Sequence, residues 1–298
     1  MINWFRRNLV VARNYLLYRK YAFWAATARN SIPLDPSANF VFSVASYPRR
    51  IHLVPAVFES LARQSANPRH AYLVLSEEDY PDQELPKPIK RLVARGVEIV
   101  WVRDNPYAVK KLMPIWGRHP DCALITFDDD IIYSRDVVSR LVEVTSGRDR
   151  CVAGYWAKAL YRKGATLGMW QRVPGGPAAD TPANSLYLMG GGGVWYSPGS
   201  LDDRVTDLDA VHSLVPGRGS DIWFWAAAHA VNAEHIWVPP AHSRMWIPIP
   251  QTKRTSPRET PGGDELERRF QAVIDYFGIR QKLLRELPDW SDLPVGRT

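Results

Sequence analysis

Cysteine is scarce in this sequence: Cys122 and Cys151 are the only two in 298 residues, and neither belongs to a CxxC pair. Neither a zinc site nor a disulfide framework is indicated, and a reducing, cytoplasmic setting is the simpler expectation. Acidic residues are missing from residues 2 to 30, which hold Arg6, Arg7, Arg13, Arg19, Lys20 and Arg29 instead. The charges at 13, 19 and 20 interrupt any apolar stretch long enough to span a bilayer, so no transmembrane helix is expected there. The segment also lacks the small-residue cleavage site of a secretory signal. Internal repeats and coiled-coil heptads are absent, which sets aside solenoids and long bundles.

What is present is enough for a sizeable core. The chain is 46% hydrophobic and 23% charged, and a chain of this length buries most of the surface it exposes when unfolded. Its formal charge of +7 and pI near 9.4 favour anionic partners such as nucleotide phosphates, phospholipid headgroups or nucleic acid. In residues 1–30 the basic side chains alternate with aromatics, and Phe5, Leu9, Ala12, Leu16 and Phe23 share one helical face flanked by Arg6, Arg13, Arg19 and Lys20. Such a helix suits a membrane surface, with aromatics at headgroup depth and cations reaching lipid phosphates. It equally suits packing of the aromatic face on the main domain or on a second subunit.

After a linker at Pro33–Ser37, strand-like and helical patterns alternate. Strands are expected at 40–45, 71–75, 97–102 and 123–127, and helices at 51–64, 89–95, 108–116 and 135–145. This alternation predicts an α/β fold with a mostly parallel sheet, whose loops after residues 45, 75, 102 and 127 converge on one cleft. Further strands are expected at 151–155 and 235–238, a glycine-rich segment at 186–196, a helix at 222–231, and one or two helices over 265–287. The expected organisation is a basic N-terminal helix and linker (1–35), two halves of a central unit (36–150 and 151–264), and a helical tail (265–298).

One segment carries the chemistry: Ile125-Thr126-Phe127-Asp128-Asp129-Asp130-Ile131-Ile132-Tyr133. Three adjacent carboxylates at the end of an apolar strand repel one another unless a cation compensates them. A hard divalent ion, Mg²⁺ or Mn²⁺, takes carboxylate oxygens and completes its shell with substrate phosphates and water. In extended backbone Asp128 and Asp130 point one way and Asp129 the other. The outer pair can therefore share a metal while Asp129 holds a ribose hydroxyl or a basic partner. An acidic cap on the following helix is the structural alternative.

Several ordered motifs then resemble one family. Ser46-Tyr47-Pro48-Arg49-Arg50-Ile51, Leu75-Ser76-Glu77-Glu78, Lys110-Lys111-Leu112-Met113-Pro114, the aspartate triplet, Gly191–Tyr196 and Ser220-Asp221-Ile222-Trp223-Phe224 are similar to bacterial, family-two-like glycosyltransferases of the Rossmann-like GT-A fold, of the capsule and lipopolysaccharide assembly type. The resemblance covers roughly residues 40 to 235. It implies a nucleotide-diphospho-sugar donor, with Ser46, Tyr47 and Arg50 facing base and ribose, Asp129 on the nucleotide side, and Lys111 near the donor phosphates. It also implies Mn²⁺ or Mg²⁺ on Asp128 and Asp130, with His242 as a third ligand. Asp221 would be the base that deprotonates an acceptor hydroxyl, and Gly192, Gly193 and Trp195 would approach donor sugar or acceptor. Related sequences commonly carry two acidic residues where this chain has Ser220-Asp221.

The expected reaction is therefore inverting transfer of a sugar to a glycan or lipid-linked glycan in bacterial surface polysaccharide synthesis, in the cytoplasm, with the inner face of the cell membrane as the alternative place. A retaining GT-A enzyme and a sugar nucleotidyltransferase are the neighbouring readings. Against the nucleotidyltransferase, no glycine-rich basic signature follows the first strand. A binding protein for anionic polysaccharide or nucleic acid would explain the pI, but the apolar-flanked aspartates would repel a polyanion.

Overall fold

The computed structural model describes residues 2–168, 177, 181–250, 263–289 and 291. Strands β1 (Phe40–Ala45), β2 (Ala71–Ser76), β3 (Glu98–Val102) and β4 (Ala123–Phe127) pair in parallel in the order β3-β2-β1-β4. A short ribbon strand, β5 (Ile131–Tyr133), follows the aspartates directly. β6 (Cys151–Ala159) and β7 (Leu186–Tyr196) then extend the sheet, with β7 antiparallel to both β4 and β6, and β8 (Glu234–Trp237) adds in parallel to β6. The result is a single seven-stranded sheet, β3-β2-β1-β4-β7-β6-β8. This is the mostly parallel, helix-flanked α/β arrangement that the sequence pattern predicts. Because β7 pairs with β4, residues 36–150 and 151–264 share that sheet.

Why the strands read as unbroken apolar runs follows from burial on both faces. Phe40, Phe42 and Val44 of β1 join Leu73, Leu75, Ile125 and Phe127 beneath α2 (Val54–Leu61), α3 (Lys87–Ala94) and α4 (Val137–Thr145). Val41, Val74, Val100, Leu124 and Val194 face the other way, against α6 (Ser220–Ala230), α7 (Gly263–Tyr276) and α8 (Arg280–Glu286). A one-residue slip in any strand would exchange these two sets.

The connections differ in detail from the sequence pattern. Over 108–116 the chain forms a 3₁₀ turn, Tyr107–Lys111, followed by further turns, in place of a helix. Pro114 explains this, since its ring and missing N–H cannot be accommodated inside an α-helix started at 108. β5 pairs antiparallel with β9 (Trp246–Pro248), and a helix α5 (Leu208–Leu214) precedes α6; neither was evident from local periodicity.

The N-terminal helix α1 (Ile2–Thr27) packs on the domain. Tyr18, Tyr21 and Ala22 pack against the core beneath α2 and α3, and the Arg63 guanidinium sits 4.0 Å above the Trp24 ring. Beyond α1, Arg95 donates to the Asn30 carbonyl at 2.8 Å and to Glu59 of α2 at 3.0 Å. Among the described residues, no helix is long and apolar enough to cross a membrane.

Candidate active site

The loops that follow β1, β2, β3 and β4 do converge. They line one cleft of about 810 Å³ with residues 45–50, Asp79, Asn105, Tyr107, Lys110, Lys111 and Phe127–Asp129, and the wall facing them is built from Tyr187–Gly191 and Gly217–Ile222. This is the end of a parallel sheet where ligand sites form, because strand ends leave backbone groups and loop side chains free to converge there.

Each aspartate of the triplet has its own environment. Asp129 is the buried one: Ser46 Oγ donates to Oδ2 at 2.7 Å and Arg50 to Oδ1 at 3.1 Å. Burial pushes its carboxyl up, against the opposing pull of Arg50 and Ser46. Arg50 also reaches Asp130 Oδ2 at 2.9 Å, and although burial disfavours its charge, Asp130 and Asp129 hold the guanidinium firmly protonated. Asp128 receives Lys111 Nζ on Oδ1 at 2.9 Å. Among the described residues its other oxygen takes no hydrogen bond.

Lys111 is the centre of the arrangement. The residue is 6% exposed, and burial alone would lower its pKa, yet Asp128 and then Asp221 outweigh that and raise it. Asp221 stands in the first turn of α6 and accepts from the Gly190 backbone N–H at 3.2 Å, the only hydrogen bond to its side chain among the described residues. Burial pushes the Asp221 carboxyl above the ordinary carboxylate range, Lys111 pulls it back, and Asp128 adds to the upward push. Gly190 makes this possible. A Cβ there would lie 2.6 Å from Lys111 Nζ and 3.3 Å from Asp221 Oδ1.

Tyr133 fixes the triplet to the opposite strand. Its buried hydroxyl accepts from the Asp128 N–H at 2.9 Å and donates to the Gly191 carbonyl at 3.3 Å, joining the end of β4 to the middle of β7. The sequence pattern gave no reason to expect that role beyond the aromatic directly after Ile131-Ile132. Asp79, Asn105 and Lys110 form a second polar group on the cleft wall, with Lys110 Nζ 3.2 Å from Asn105 Oδ1 and 3.5 Å from Asp79. Nothing in their spacing signals this, because they come from the ends of different strands.

Five expected site residues are absent from the cleft lining: Asp130, held by Arg50 at 2.9 Å, and four that lie elsewhere. Trp195 is in the core, paired with Ile125, its ring tilted against that of Phe40 and its indole N–H donating to Ser197 Oγ at 3.0 Å. Gly192 and Gly193 are absent from the cleft lining: a Cβ on Gly192 would meet Trp156 at 2.9 Å, and Gly193 has φ +92 beneath the Phe127 ring. Of the four consecutive glycines 190–193, Gly190 and Gly191 reach the cleft, and at Gly191 a Cβ would fall 2.1 Å from the Trp156 ring. His242 is also off the cleft lining, 3.6 Å from Asp136 at the start of α4. Trp170, Lys253, Arg254 and Arg258, further candidates for sugar or phosphate contact, fall outside the described residues.

Whether these residues suit a divalent ion can be judged from their oxygens. Among the described residues no three His, Cys, Asp or Glu side chains cluster closely enough to hold a metal by themselves. Among the described residues Asp128 does offer a carboxylate oxygen not taken by hydrogen bonds, while Asp129 and Asp130 lie in a turn rather than in extended backbone, so Asp130 shares Arg50 with Asp129 instead of facing the same way as Asp128. That donor set fits an ion held by one or two carboxylates and completed by phosphate oxygens and water.

No protein-family model matches the chain, and no curated protein matches it. Chains of solved structures do. Among them is the mannosyltransferase PcManGT from Pyrobaculum calidifontis, in complex with GDP-Man and Mn²⁺, at 12% identity and a TM-score of 0.43, covering 93% of this chain and 82% of that one.

Proposed function

We propose that this chain is a glycosyltransferase that moves a sugar from a nucleotide-diphospho-sugar to a hydroxyl of a glycan or lipid-linked glycan, with inversion, in bacterial surface polysaccharide synthesis. The observation that carries this is the set Asp128–Lys111–Asp221: two carboxylates on either side of one buried ammonium, with Gly190 leaving room between them.

In this reading Asp128 and Asp130 hold Mn²⁺ or Mg²⁺, which when bound neutralises the donor diphosphate. Lys111 stabilises negative charge as it grows on the departing nucleoside diphosphate. Asp221 takes the proton of the acceptor hydroxyl while that oxygen bonds to the anomeric carbon and the bond from carbon to the phosphate oxygen breaks. A carboxyl raised above its ordinary range is the better base for this task. Tyr47 and Arg50 line the cleft and in this reading face the nucleotide, and Asp129 holds Arg50 and the Ser46 loop in position.

A panel of nucleotide sugars, screened for Mn²⁺-dependent hydrolysis and transfer, tests the class and the donor together. The expected result is release of a nucleoside diphosphate, with Asp221→Asn cutting transfer roughly 100-fold or more while donor binding is kept. Release of pyrophosphate would make the chain a nucleotidyltransferase. A retained anomeric configuration by proton NMR would remove Asp221 from its role.

A further inference from the structure

The cleft leaves the N-terminal helix unused, and α1 has two opposed faces. Asn14 and Ala25 are buried; Tyr18 and Tyr21 pack inwards with them, and Asn14 Nδ2 donates to the Pro248 carbonyl at 3.3 Å. Leu9, Leu16 and Phe23 are 55%, 67% and 66% exposed. At 3.6 residues per turn, positions spaced by seven stay nearly in line, so these three and Ala12 form one stripe directly opposite the packed face. Arg13 and Lys20 border the stripe on one side and Arg19 on the other, and no acidic residue occurs before Asp35.

We propose that this stripe seats α1 flat on an anionic lipid surface. Leu9, Leu16 and Phe23 enter the acyl boundary, and Arg13, Arg19 and Lys20 reach outward to lipid phosphates on both flanks. Charge selects this occupant over a second copy of the chain. A two-fold contact through the same stripe would bring Arg13, Arg19 and Lys20 against their own copies with no carboxylate between them. The seating also orients the enzyme. The Asn14 end is tied to β9, whose partner β5 follows the aspartates, and the Ala26 end is tied by Arg91 at 3.3 Å to α3, near the opposite ends of the strands. A helix lying in the surface therefore lays the strands along it, and the cleft opens parallel to the membrane.

The test is flotation of the full chain with vesicles of phosphatidylcholine alone and of phosphatidylcholine and phosphatidylglycerol in equal parts. Binding to the mixed vesicles only, weakening with added salt, is expected. Each basic residue near an anionic surface is worth roughly fivefold in partition, so the combined change Arg13→Gln, Arg19→Gln and Lys20→Gln should lower it roughly a hundredfold. Leu16→Glu with Phe23→Glu should abolish binding without moving the thermal unfolding midpoint. Equal binding to both vesicle types, or binding that survives both sets of changes, overturns the proposal. So does a dimer in light scattering that Leu16→Glu with Phe23→Glu dissolves. No nucleotide sugar enters this measurement, so its outcome is independent of the reaction proposed for the cleft.

Discussion

Lys111→Met is the most informative change to the cleft. A Cβ placed on Gly190 would lie 2.6 Å from Lys111 Nζ and 3.3 Å from Asp221 Oδ1, so those two atoms are no more than about 6 Å apart. At an effective dielectric of about 20, charges at that separation interact by roughly 2–3 kcal/mol. The sign is set by the cation: Lys111 holds the Asp221 carboxyl down against burial, so its loss raises that carboxyl further. The acid limb of the kcat/KM profile should therefore move to higher pH, by less than the bare interaction implies because water enters the vacated space. It should be accompanied by a fall in the plateau rate, since the charge facing the leaving group is gone. The assay is the pH–rate profile of both proteins with the identified donor, alongside their unfolding midpoints. A variant that stays folded and loses rate uniformly, with its acid limb unmoved, would refute the coupling of Lys111 to Asp221.

Three further outcomes follow from the packing. Gly190→Ala drives a methyl into the Lys111 ammonium, the end of a flexible side chain, and should cost at least tenfold in kcat/KM with little change in unfolding midpoint; Gly191→Ala strikes the rigid Trp156 ring and should cost roughly 1–3 kcal/mol in urea denaturation. Glu59→Ala leaves the buried Arg95 guanidinium without its carboxylate and should destabilise the fold by about 3–5 kcal/mol, largely uncoupling the linker after α1, as chemical denaturation and hydrogen exchange at Asn30–Ile32 would show. Burial holds His235 down to about 4, below its unfolded value, so its contribution is fully present above pH 6.5 and is lost as pH falls toward 4; about 3 kcal/mol from this residue should disappear over that window, and His235→Leu should make the acid-side loss in denaturation curves less steep while leaving that of the stacked, buried His229, which is held well below its ordinary value.

The sheet was largely legible in the sequence for a physical reason. β1, β2 and β4 are buried on both faces, so their apolar runs stand out, and β4 was located to the residue at Ala123–Phe127. The convergence of loops on one cleft follows from parallel topology and needed no knowledge of side chains. What was not legible depends on partners distant in the chain. Ile131 pairs with Pro248, and Gly191 yields to Trp156, so neither the β5–β9 ribbon nor the division of work among the four glycines has a local signature. Trp195 illustrates the same limit. Strand alternation shows that it and Gly193 point to opposite faces from Val194, but not which face carries the cleft. α1 offered two alternatives, surface contact or packing on the domain, and its two faces make these compatible.

The ion pairs of the triplet have one more consequence. Arg50 spans Asp129 and Asp130, and Lys111 holds Asp128, so the fold carries its own counter-ions into the cleft. Folding then needs no outside cation to quiet the carboxylates, and a chelator should silence the reaction without unfolding the chain. In the proposed reaction, arrival of a diphosphate with its ion would be an exchange of partners at nearly constant charge, with Lys111 passing from a carboxylate to a phosphate. A site built this way is a switchboard of cations and anions already in balance, and the substrate re-plugs it.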